Sequence, residues 1–166
     1  KNFHNMENQA LNFDFIFLGQ SVLKYQVPLD IFITINKLYE QKYNSLYPAN
    51  GQLVGKIENE HSLFYGGKDK SKMKNHNKLP LNVTDYFMTI FKHYLNWNKI
   101  KEYKLNLNSV WVNEMKQHEY NPAHIHRGTL FTGLSSVMIL KLPSTYGKEY
   151  SASHIQQNGK LQILGS

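Results

Sequence analysis

The sequence predicts a mainly β chain with flanking helices, and three patterns carry that expectation. Residues 13–27 alternate enough for a strand pair, with Phe13, Phe15 and Phe17 followed by Val22, Tyr25 and Val27. Leu105, Leu107 and Val110 alternate again and lead into W-V-N at Trp111, Val112 and Asn113. Between them two segments repeat their apolar residues at helical spacing: Ile31, Ile35, Leu38 and Tyr39, then Tyr86, Phe87, Ile90, Phe91, Tyr94 and Leu95.

The first helix is expected over residues 30–43. Pro28 lies before or in its first turn, where its fixed φ is tolerated, and Asp30 favours the positive helix end. A polar turn region follows at 44–51, then the segment L-V-G-K-I-E-N-E-H-S-L-F beginning at Leu53. Gly66 and Gly67 break the pattern before the lysine-rich stretch 68–78, expected to be a solvated loop or a contact for an acidic partner. The second helix is expected to begin near Leu81, with Asn82 or Thr84 as its cap, and to run to about residue 97. No internal repeat is evident.

Composition narrows the function classes. The 166 residues are 41% apolar and 13% aromatic, which suits one globular domain with a packed core. No apolar run approaches the roughly 18 residues that span a bilayer. The chain has no cysteine, which excludes disulfides, thiolate zinc sites and cysteine nucleophiles, and suits a reducing cytoplasm. The net charge is +7, yet the 19 basic residues include one arginine, Arg127. A sequence-reading nucleic-acid protein draws on arginine for bidentate base contacts, so a nucleic-acid partner is the weakest reading. The Lys, Asn, Ile and Tyr richness reads as an AT-rich genome.

The segment 111–143 carries the chemistry. On a strand, His124 and His126 share a face and can aim their imidazoles at one point. Such a pair is half of a metal site or, in a chain with eight histidines, a surface pair with ordinary partners. Tyr120, Asn121 and Pro122 form a turn that aims the next strand, since Pro fixes φ and Asn tolerates turn geometry.

The order W-x-N (Trp111, Asn113), Y-N-P (Tyr120, Asn121, Pro122), H-x-H (His124, His126), Gly128, Ser135, Ser136 and an apolar strand 137–143 resembles the phage-type 2-oxoglutarate- and Fe(II)-dependent oxygenases. The opening strand, the first helix and the G-K-I at Gly55, Lys56 and Ile57 are similar to that family as well. The resemblance implies a double-stranded β-helix, or jelly-roll barrel. Residues up to about 108 would be its helical support and residues 109–166 its first part. It also implies Fe(II) and 2-oxoglutarate as cofactor and cosubstrate, hydroxylation of a protein or small-molecule substrate, and a viral protein in the host cytoplasm or the virion. A homo-oligomer is compatible with it.

Under the resemblance His124 and His126 are metal ligands. In the usual triad a carboxylate stands at the second position, so His126 is either a ligand of a histidine-only site or lies behind the ligands. Asn113 either donates to a 2-oxoglutarate oxygen or bonds at its strand end. Lys141 can reach a carboxylate from inside the barrel, and Arg127 contacts substrate or solvent. Where the superfamily has a turn glycine this chain has His118, and where many relatives carry a cosubstrate-binding tyrosine it has Val137 to Leu140. Counting from Ser109, about four strands precede Ser166. The third ligand and the 2-oxoglutarate-binding Arg or Lys are therefore expected beyond that residue, in a longer protein.

Two rival readings share the barrel. A cupin-type metalloenzyme would place Glu four or five residues after the second histidine, where Leu130 and Phe131 stand. A catalytically idle jelly-roll, used for binding or in a virion, would keep the core and lose ligands.

Overall fold

The protein is described by a computed structural model over residues 11–17, 21–49, 55–122, 124, 133–144 and 161. Two compact units divide the chain, Lys1–Ala10 with Val27–Ser135 and Leu11–Gln26 with Ser136–Ser166.

The second unit contains the expected strand pair. β1 (Phe13–Phe17) and β2 (Ser21–Tyr25) are antiparallel in continuous register from Phe13↔Tyr25 to Phe17↔Ser21. The open end is closed by Gln26 N donating to Asn12 O at 2.9 Å and by the Phe13 and Tyr25 rings, 6.0 Å apart. The expected strand over 137–143 gains no partner among the described residues, and Val137, Ile139 and Leu142 are exposed. β-branched composition marks a segment fit for a pleated surface, but a strand exists only where a neighbour completes its hydrogen bonds.

In the larger unit α1 (Leu29–Lys42) follows Pro28, which stands at its N-cap with Asp30 in the first turn. Ile31, Ile35 and Leu38, spaced i, i+4 and i+7, are its buried face. A 3-10 turn (Tyr43–Ser45) leads to β3 (Tyr47–Pro48), inside the stretch expected to be only a turn. β4 (Asn59–Tyr65) follows, then α2 (Lys70–His76), α3 (Leu81–Trp97) and β5 (Ser109–Glu114). Val83, Tyr86, Phe87, Ile90 and Leu95 form the buried stripe of α3, which packs against α1.

Two expectations for the helices are corrected. The lysine-rich stretch is not a loop throughout. Asp69 caps α2 by accepting from Ser71 N at 3.1 Å, and the helix buries His76 at its end. α3 is not capped by Asn82 or Thr84. Pro80 occupies the N-cap, no side chain caps the helix, and Thr84 Oγ1 donates back to Pro80 O at 3.3 Å. A proline before the first turn presets the extended entry, so the helix starts one turn earlier than side-chain caps would place it.

β4 is the middle strand of an antiparallel sheet ordered β3-β4-β5. Its ladder with β5 runs from Asn59↔Glu114 to Tyr65↔Ser109, with a register shift between Ser62 and Phe64. Pairing assigns the faces. Tyr47, Glu60, Ser62, Tyr65, Trp111 and Asn113 share one; His61, Phe64, Val110, Val112 and Glu114 share the other. Among the described residues the architecture is mixed α and β with two small antiparallel sheets, and neither closes into a barrel. No helix among them is long and apolar enough to cross a membrane.

α3 ends in a left-handed residue. Lys99 has φ 58; its N–H donates to Asn96 O and that of Ile100 to Leu95 O, both at 2.9 Å, the paired bonds of a Schellman motif. A lysine pays a steric cost there that glycine avoids. Lys99→Gly should raise stability by about 0.5–1 kcal/mol, read as a higher urea midpoint at unchanged slope. A lower midpoint would show that the Lys99 side chain contributes more than its backbone strain costs.

Candidate functional site

Asn113 sits near the end of β5, on the Trp111 face as expected, and its Oδ1 is buried without a hydrogen-bond partner. Directly opposite on β4 is Glu60, a buried side chain whose Oε2 is likewise unpartnered. Burial raises the Glu60 carboxyl above its ordinary 4.5. Two acceptors thus face the same side of the sheet with no donor between them.

Beyond β5 the chain bulges and then continues along the same partner. Tyr120 N donates to Lys56 O and Lys56 N to Tyr120 O, both at 3.0 Å. The bulge is held by Glu119, whose Oε2 accepts from Lys116 N at 2.6 Å and Oε1 from Glu58 N at 3.0 Å. Those backbone donors, Lys116 first, hold the Glu119 carboxyl below the usual carboxylate range. His118 in this turn has φ 68, the left-handed conformation that favours glycine.

Gly55 is where the G-K-I and Y-N-P segments meet. Its φ is 134, and a Cβ there would lie 2.6 Å from Tyr120 O and 2.7 Å from Pro122 Cδ. No side chain fits that approach. The contact fixes the exit of the chain toward His124. His124 is exposed and outside any strand, with Nδ1 donating to Pro122 O at 2.8 Å. That bond puts the ring's lone pair on Nε2, the tautomer in which metal-binding histidines are commonly held.

The expected site is only partly assembled. No hydrogen bond joins Asn113 to His124, and the placement of His124 on a strand is corrected. His124 itself stands outside a strand, and the residues on either side of it lie outside the described ones. Lys141 is exposed in the extended segment of the other unit. His126 and Arg127 lie outside the described residues. Among the described residues no three His, Cys, Asp or Glu side chains are grouped to hold a metal ion.

Sequence reasoning missed a polar cluster around β4. Ser62 Oγ and His76 Nδ1 share a hydrogen bond of 2.7 Å, and Ser62 Oγ also lies 3.4 Å from Phe64 O. The other ring nitrogen of His76, Nε2, is buried without a partner. The His76 ring lies 4.0 Å from that of Tyr47 and 5.4 Å from that of Tyr65. On the opposite face His61 packs 4.4 Å from the Tyr43 ring, and Tyr39 Oη donates to Glu114 Oε2 at 3.3 Å. Burial, and then Glu114, push the Tyr39 hydroxyl up. The available signal was N-E-H-S-L-F-Y itself, but its four consecutive polar residues read as exposed until a partner strand shows that Glu60 and Ser62 face inward.

No family model, curated protein or solved structure matches this chain.

Gly55→Ala should cost more than about 1 kcal/mol, because a positive φ and a backbone clash are imposed together. Its signature is loss of the Lys56 and Tyr120 amide protection in hydrogen exchange, and retained protection there would show that the crossing tolerates a side chain. Burial lowers His76 first of all, so its neutral form stabilises the fold. That contribution is present above the unfolded value of 6.5 and is lost as pH falls through the lower folded value. His76→Gln keeps a donor for Ser62 but cannot titrate, so its Tm should fall less on acidification than that of the wild type. Equal slopes would remove His76 from the acid response.

Proposed function

We propose that this chain is an Fe(II)- and 2-oxoglutarate-dependent oxygenase of the double-stranded β-helix type, acting as a hydroxylase. The observation that supports this reading is the backbone of His118. The resemblance places a glycine at that turn between Asn113 and His124, and the chain turns there through a glycine-type conformation although the residue is histidine. The two other resembling segments, G-K-I and Y-N-P, are in contact at Gly55.

The residues fit the implied groups in two respects. His124 has its Nδ1 proton committed to a backbone carbonyl, which orients Nε2 for ligation. Asn113 presents a buried amide whose Oδ1 has no donor, and the NH₂ of the same amide can donate to a ligand oxygen. In this reading His124 and His126 hold Fe(II), with a third ligand from elsewhere in the protein. Asn113 binds 2-oxoglutarate, and Arg127 meets the substrate. Fe(II) with 2-oxoglutarate supplies the activation of O₂ that side chains cannot perform. The protein orients the cosubstrate and shields the reacting C–H bond from water. The second reading, an idle jelly-roll used for binding or in a virion, is favoured by the exposure of His124.

The protein should convert 2-oxoglutarate to succinate only with Fe(II), and His124→Ala should abolish both turnover and iron binding. His126→Ala should be as severe if His126 ligates, or cost about 10 to 100-fold if it lies behind the ligands. His126→Asp restores the usual carboxylate and should keep or raise iron affinity. Iron binding and succinate formation unchanged in both His126 variants would leave the idle barrel as the reading.

A further inference from the structure

Glu60 and Asn113 are directly opposed across β4 and β5, a placement that sets their Cβ atoms about 4.5–5.5 Å apart. Each keeps a buried oxygen without a donor. A carboxylate and an amide oxygen on opposed positions of one sheet face, both away from water, each lack the hydrogen bond that would offset desolvation. One proton placed on the carboxyl turns Glu60 from an acceptor into a donor and satisfies both oxygens.

We propose that Glu60 is a positioning residue that carries this proton and donates it to Asn113 Oδ1, locking the amide so that its NH₂ group faces a bound 2-oxoglutarate oxygen. The role of the NH₂ group rests on the oxygenase reading; the proton and its hydrogen bond do not. An unlocked asparagine can present either its oxygen or its nitrogen to a ligand, and only the nitrogen is attractive to an anion. Ionised Glu60 would repel Oδ1 and favour the reversed amide, which presents oxygen to the cosubstrate. Glu60 therefore acts through Asn113 and touches no reacting atom.

The surroundings leave the proton in place. On the same face stand Tyr47 of β3, Tyr65 of β4 and His76 of α2, which burial keeps toward its neutral form. Along β4 the nearest acid, Glu58, is paired with Lys116 at 3.6 Å, and Glu119 beyond it is held by backbone donors. Lys56 lies at the far end of that segment, paired through its backbone with Tyr120. His61 of β4, Glu114 of β5 and Tyr39 of α1 belong to the opposite face. Among the described residues no cation is recorded as favouring the carboxylate, and burial is the cause that raises Glu60.

The test is a titration of the protein labelled with ¹³C at glutamate side-chain carboxyls, with Glu60→Gln assigning the resonance. One carboxyl should titrate above the ordinary 4.5 and vanish in Glu60→Gln, while Glu119 titrates below it in the same spectrum. The stability contributed by protonated Glu60 is present below 4.5 and lost as pH rises through the folded value, so the Tm of Glu60→Gln should lack that decline. Calorimetric titration with 2-oxoglutarate should show wild-type affinity falling over the same pH interval. Glu60→Gln, whose side-chain NH₂ donates at every pH, should show no such fall. If Glu60→Gln does not fold, the wild-type titration decides alone, and the absence of any carboxyl above the ordinary value overturns the proposal. A high-titrating Glu60 with no 2-oxoglutarate binding at any pH upholds the Glu60–Asn113 bond and removes the oxygenase reading. Binding that is indifferent to the ionisation of Glu60 overturns the positioning role.

Discussion

The β4–β5 ladder is the constraint on which the larger unit depends. It joins a strand that precedes α2 and α3 to one that follows them, and every feature of the candidate site is read off its register. Asn113 faces Glu60 because Trp111 faces Ser62. His61 meets Tyr39 of α1 and Tyr43 of the 3-10 turn because Val112 is opposite it. A slip of one residue would send each of these side chains to the other face, exchanging the polar row for the aliphatic one. The register is pinned at the Asn59 end by the Glu119 carboxylate and by the crossing at Gly55, where backbone approaches backbone too closely for any residue with a Cβ.

The middle strand is unusually polar for its position. Glu60, Ser62 and the His76 that covers them are buried, and Leu63 beside them is wholly enclosed. Polar groups in such a place are tolerated when each finds a partner, and the cluster satisfies Ser62 and one His76 nitrogen while leaving Glu60 Oε2, His61 Nδ1, His76 Nε2 and Asn113 Oδ1 without one. All four atoms lie on β4 or on the elements against it. A sheet built only for stability would carry aliphatic residues here, since leaving a buried donor or acceptor unmade costs about 1–3 kcal/mol.

Helix positions were legible because burial repeats at a fixed spacing along one segment. Ile31, Ile35 and Leu38, or Val83, Tyr86, Phe87 and Ile90, need no knowledge of what they pack against. The β1–β2 pair was legible for a similar reason, its two strands being neighbours in sequence. β3, β4 and α2 were not. A two-residue strand has no period, and α2 is about two lysine-rich turns stabilised by Asp69 and by docking His76 on β4. In the candidate site, the parity of Trp111 and Asn113 and the turn at His118 were visible in the local order of residues. Glu60 was not, because its partner lies on a strand beyond two helices, and no local pattern encodes that pairing.

The order of the elements along the chain also has a kinetic meaning. Tyr65 and Ser109 are neighbours in the ladder, yet α2 and α3 lie between them in sequence. Closing so long a loop costs chain entropy before any hydrogen bond of the ladder repays it, and helices grow orders of magnitude faster than distant strands find each other. A formed α3 and its Schellman turn shorten the flexible path between β4 and β5. The Lys99 reversal thus belongs to the search for the native pairing as well as to the finished helix. A turn that takes no part in the ladder bears on how quickly the strand that carries Asn113 reaches its place.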